Sequence, residues 1–146
     1  MRTITMALLT CAFALAADSP FVGTWTMNKA KSDFGPQGPK MESLTIQYVQ
    51  DGPALQAIMT TNGRPEPGIV IDGKEHVVTG RTRMEATHAT ATVKGRMIET
   101  SFTKDGKTVG TRKYSLSADG KVLTAVTVAT TPDGQKVHWN PVFDKQ

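Results

Sequence analysis

The dominant pattern along this chain is alternation. From residue 21 onward, apolar and polar side chains trade places every second position over short stretches rich in Val, Ile, Thr and aromatic residues, as half-buried strands are. Leu44, Ile46 and Tyr48 share one side against Ser43, Thr45 and Gln47. Ile98, Thr100 and Phe102 form a second such set, and Gly110, Arg112, Tyr114 and Leu116 a third. The third places a guanidinium beside Tyr114 and Leu116, unusual content for a filled core. From Val122 to Thr130 the pattern is ambiguous, because Val122, Val126 and Val128 oppose Leu123, Ala125 and Ala129.

Turn dipeptides separate these stretches: Asp51-Gly52, Asp72-Gly73, Asp105-Gly106, Asp119-Gly120 and Asp133-Gly134, with Lys94-Gly95 as a sixth. Such pairs suit two-residue hairpins, whose positive φ angles glycine and, less readily, aspartate tolerate. Strands are expected over 21–28, 42–50, 55–61, 68–71 continued by 76–79, 82–93, 97–104, 108–117, 122–130 and 135–143. Only 29–34 can form one or two helical turns, after the first strand, before Pro36, Gly38 and Pro39 break the chain. The fold class is therefore all-β: an antiparallel up-and-down β-barrel of about eight to nine strands, closing on itself because closure removes exposed edges.

The first residues follow another logic. Arg2, an apolar run from about Ile4 to Leu15, and the small residues Ala14-Leu15-Ala16-Ala17 have the order of an export signal, with cleavage after Ala16 or Ala17. Residues 1–17 are thus expected to be a signal peptide and 18–146 one barrel domain, exported to the periplasm or the extracellular space. Two alternatives fit the segment less well. A membrane anchor would need roughly 20 apolar residues, and Asp18 and Ser19 follow too soon. Acylation at Cys11 would need a better residue than Thr10 before it. Cys11 is the sole cysteine, so a mature chain without it has no disulfide, thiolate nucleophile or zinc-thiolate site.

Charge adds little. The formal net charge is +4, or +3 once Arg2 is removed, and the basic residues are scattered rather than clustered with aromatics. Nucleic acid is not an expected partner. His76, His88 and His138 lack metal-ligand spacing, so no metal or other cofactor is expected. No nucleophile-base pattern, phosphate loop or carboxylate pair stands out, so no catalytic residue and no enzyme activity is assigned. Glu85 and Glu99, on strands expected to be neighbours, read as exposed. Met27, Met41, Met59, Met84 and Met97 recur through the strands as core filler or as lining of an adaptable apolar pocket.

The segment Phe21-Val22-Gly23-Thr24-Trp25 resembles the start of lipocalins, where Gly-x-Trp sits on the first strand ahead of a short helical turn. The rest, including Lys29-Ala30-Lys31-Ser32 and the ending Val142-Phe143-Asp144-Lys145-Gln146, is similar to small secreted lipocalin-like proteins of environmental bacteria. That resemblance implies structural roles for Gly23 and Trp25 at the barrel base, an Arg from a late strand packed on Trp25, and a ligand cavity. Arg112 is the candidate for that Arg by position. It has a second reading as well. Arg112 and Tyr114 lie two apart on one strand, and inside a barrel such a pair can hold a carboxylate through a bidentate contact and a phenol donor. Fatty-acid-binding proteins carry a similar pair, on their last strand. Arg112, Tyr114, Tyr48 and Phe102 are accordingly the candidate ligand-binding residues. The expected partner is a small, largely apolar molecule, anionic in the reading in which Arg112 and Tyr114 hold a carboxylate. The alternative is a cavity-free interaction or inhibitor module of the cell envelope, acting through loops and a mildly basic surface.

Overall fold

The structure is a computed structural model that describes residues 18–36, 38–80 and 82–146, and the backbone but not the side chain of Pro67. The expected signal peptide, with Cys11, lies outside the described residues. The strands are β1 (Gly23–Met27), β2 (Leu44–Asp51), β3 (Ala54–Thr61), β4 (Arg64–Ile71), β5 (Glu75–Val77), β6 (His88–Lys94), β7 (Met97–Lys104), β8 (Lys107–Leu116), β9 (Val122–Thr130), β10 (Lys136–Trp139) and β11 (Val142–Lys145). They form one antiparallel sheet in the order β4-β3-β2-β1-β11-β9-β8-β7-β6-β5, with β10 also on β9. The helical stretch is a single 3₁₀ turn, Lys29–Lys31, whose N-terminus is capped by Asn28.

The strand count exceeds the expected eight or nine because two expected strands are each broken. Asn140-Pro141 interrupts the last one: β10 pairs with Thr127 to Thr130 of β9, and β11 pairs further along β9 and with β1. A proline cannot donate to the ladder, so the chain steps there. The second break is at Asp72-Gly73. It forms no hairpin; β4 belongs to one end of the sheet and β5 to the other. The stretch expected as one strand over 82–93 begins pairing only near His88, because Thr82 holds a turn first: Glu85 N–H donates to Thr82 O at 3.0 Å and Ala86 N–H to Thr82 Oγ1 at 2.9 Å.

The ladder therefore does not close, contrary to expectation. The curl brings β4 back beside β6, where Gly73 N–H donates to Ala91 O at 2.8 Å, while β4 and β5 diverge to leave a wedge. Their free edges are short or proline-bearing (Pro65, Pro67), which limits pairing with other chains. Among the hairpins, Asn62-Gly63 joins β3 to β4 with φ of 49° and 76°, a primed turn that the Asp-Gly pattern passes over.

Two apolar clusters fill the interior. The larger surrounds fully buried Trp25, Phe21, Ile46, Leu123 and Phe143, with Tyr48 and Tyr114. Trp25 Nε1–H donates to Phe21 O at 2.8 Å, satisfying the indole in the core. The cation over Trp25 is Lys145, 5.4 Å from the ring centroid, and not Arg112. The register decides this: β11 lies beside β1 and pairs Lys145 with Trp25, whereas β8 is three places away. Gly23, at φ +132°, makes room, since a Cβ there would stand 3.1 Å from Lys145 Cε. The smaller cluster contains Met84, Ala89, Phe102, Ala129, Val137 and Trp139.

Candidate ligand-binding cavity

Strand register stacks the interior in layers. Tyr114 lies level with Ile98 and Ala125, and both neighbours belong to the larger cluster. Two residues along the strand, Arg112 lies level with Thr100 and Thr127. Two further, Gly110 lies level with Phe102 and Ala129 of the smaller cluster. Thr100 and Thr127 are the two buried polar residues among those described. They flank Arg112, so a polar layer is inserted between two apolar ones.

Above that layer is a cavity of about 470 Å³, in the wedge between β4 and β5. Its wall is mainly apolar, with Met41, Met59, Met84, Ile69, Phe102 and Trp139. Glu66, His76, Arg83 and Arg112 supply the charged and titratable groups. Arg112 is partly buried; its Nε–H donates to Thr127 Oγ1 at 3.1 Å and its guanidinium lies over Phe102, 5.4 Å from the ring centroid. Among the described residues no carboxylate forms an ion pair with it. Of its five N–H donors, one is therefore held by protein. At the rim, His76 Nε2 and Asp72 Oδ1 are 2.9 Å apart, and this contact, with the Lys74 N–H, holds the Asp72 carboxyl below its ordinary range.

Tyr48 and Tyr114 do not line the cavity. They sit one layer deeper, 6.4 Å apart edge to face, with Phe21 beside Tyr48 and Phe143 beside Tyr114. Sharing a strand face put Tyr114 on the same side as Arg112 but could not say that the cavity ends between them. Burial pushes the Tyr48 phenol well above its usual value, as does Tyr114; the charge of Arg112 pulls the other way. The candidate set thus divides into Arg112 and Phe102 on the wall, and Tyr48 and Tyr114 in the core beneath. Met41, Met59 and Met84 line the wall, while Met27 fills the larger cluster and Met84 belongs to the smaller one, so both readings of the methionines apply. Thr127 was hidden in the ambiguous strand: its inward set, Leu123, Ala125, Thr127 and Ala129, is less hydrophobic than the outward valines.

Other expected features lie apart from the cavity. Glu85 and Glu99 do not meet: Glu85, on the turn before β6, pairs with Lys104 at 2.8 Å, and Glu99 pairs with Lys94 at 2.7 Å and Lys113 at 3.5 Å. Among the described residues no three of His, Cys, Asp and Glu converge as a metal site would need, and no helix is long and apolar enough to cross a membrane.

The likeness to solved structures is to curled antiparallel β-barrels of this fold. Zebrafish ileal bile acid-binding protein complexed with cholic acid superposes with a TM-score of 0.61 at 14% identity, over 88% of this chain and 100% of that one. A Schistosoma mansoni fatty acid binding protein in complex with arachidonic acid gives 0.61 at 13%, over 88% and 97%. An abundant heat soluble protein of Ramazzottius varieornatus gives 0.64 at 10%, over 89% and 98%. At these identities the likeness is one of fold. No protein-family model matches the chain, and no curated protein matches it by sequence.

Proposed function

We propose that this protein binds a small, mostly apolar molecule with an anionic group, and that the anion sits against Arg112. The carrying observation is the layer Thr100–Arg112–Thr127 at the floor of an apolar cavity. A cation drawn into an apolar interior costs free energy unless it is paired, and this guanidinium has one neutral hydroxyl and one ring for partners. A ligand carboxylate would supply the missing charge and accept the free N–H groups. The volume falls within the range of small-molecule sites. Solved structures of the same fold hold cholic acid and arachidonic acid, both carboxylates, in keeping with this reading.

The reading is of a carrier, in keeping with the binding proteins among the solved structures of the same fold. An interaction module with a solid core is disfavoured by the cavity itself. In this proposal the chain is exported with residues 1–16 or 1–17 removed, and the intact mass of protein recovered from its host, starting at Ala17 or Asp18, checks that point. The binding claim is tested by titrating wild type and Arg112→Ala with a dansyl-labelled undecanoic acid at several pH values. Affinity should fall at least tenfold in the variant, and unchanged affinity would remove the carboxylate role.

A further inference from the structure

From the packing of Met84 against Gly110, we infer that Met84 is the residue that sets how much ligand bulk the cavity admits next to Arg112. The inference rests on the binding reading above and concerns which anions fit. Met84 is buried, lines the cavity, and comes from the turn between β5 and β6 rather than from a strand of the wall. Its thioether reaches the inner face of β8 at Gly110: a Cβ on that glycine would stand 2.6 Å from Met84 Sδ, 3.1 Å from Val128 O and 3.3 Å from Met84 Cε. No positive φ requires glycine at this position, so the hydrogen side chain serves the close approach itself. Gly110 belongs to the layer next to Arg112, between Phe102 and Ala129, about 7 Å further along the strand. A ligand whose anion rests on Arg112 and whose next atoms run along the Phe102–Gly110 layer passes beside Met84.

The backbone that presents Met84 is fixed while the side chain is adaptable. Thr82 closes the turn through its carbonyl and its hydroxyl, Glu85 at φ +51° pairs with Lys104 at 2.8 Å, and Thr87 N–H donates to Thr103 O at 2.8 Å. These bonds tie both sides of Met84 to the turn and to the end of β7. Methionine on such a mount can shift a little for a ligand but cannot leave. Ligands that are slim beside their carboxylate should therefore be preferred to those carrying a ring or branch there.

The test compares decanoic acid with 1-adamantanecarboxylic acid, and 1-decanol with 1-adamantanemethanol, by calorimetry on the full chain. Met84→Ala frees about three heavy atoms of space, and the affinity ratio should move about tenfold toward the adamantyl probes. Met84→Phe, which adds bulk at the same position, should move it the opposite way. Opposite shifts cannot come from general loosening of the fold. A ratio unmoved in Met84→Ala overturns the inference. If alcohols bind as well as acids but the ratio still shifts, the anion reading falls and the role of Met84 stands. If no probe binds wild type, both fall.

Discussion

Arg112 should be a residue whose removal strengthens the fold while weakening binding. In the double variant Arg112→Met/Thr127→Val, the guanidinium, its hydrogen-bond partner and the charge all leave together, and side chains of similar shape remain. Removing both partners matters, because either single variant leaves a buried polar group without its mate. The interactions lost are one hydrogen bond to a neutral hydroxyl, about 1 kcal/mol, and one contact with Phe102, about 0.5–1 kcal/mol. Relief from holding a partly buried, unpaired cation between two apolar clusters outweighs them, because even part of the several kcal/mol that full desolvation of an ion costs exceeds their sum. A net gain of about 1 kcal/mol is expected, or roughly 4 °C in Tm for a domain of this size. Urea denaturation followed by the fluorescence of Trp25 and Trp139 measures it. Carboxylate binding should meanwhile weaken by about ten- to a hundredfold, the equivalent of one charge-assisted contact. A double variant less stable than wild type by more than about 1 kcal/mol would refute the reasoning and make Arg112 a structural tie.

Three further outcomes follow from the core and the turns. The Tyr48 phenol is raised in the folded state, so its contribution to stability is fully present below the unfolded value near 10 and is lost as pH rises above it. Chemical denaturation between pH 9 and 11.5 should show a decline that Tyr48→Phe diminishes. Leu123→Ala, at a fully buried site in the larger cluster, should cost about 2–5 kcal/mol, read from the denaturation midpoint. Gly63→Ala, at φ +76° in the β3–β4 hairpin, should cost about 1 kcal/mol with no change in ligand affinity; a neutral result would mean that the turn has another conformation.

The sequence by itself determined the class of fold and most strand positions. Period-two alternation and turn dipeptides are local signals, and a strand's inward face follows from them wherever the two faces differ in polarity, as along Leu44, Ile46 and Tyr48. It also determined that Arg112 points inward, since Tyr114 and Leu116 fix that face. Tertiary structure alone decided the rest, because strand neighbours and depth along the barrel depend on pairings between distant segments. It placed Lys145, not Arg112, over Trp25 by setting β11 beside β1. It turned Asp72-Gly73 from an expected hairpin into the apex of the open wedge. Along β8, it separated two residues of one face into different surroundings: Tyr114 is sealed in the core, while Arg112, a layer higher, meets Thr100, Thr127 and the cavity. Alternation reports which side a residue faces. How deep it lies, and what stands opposite, is settled only when the sheet curls.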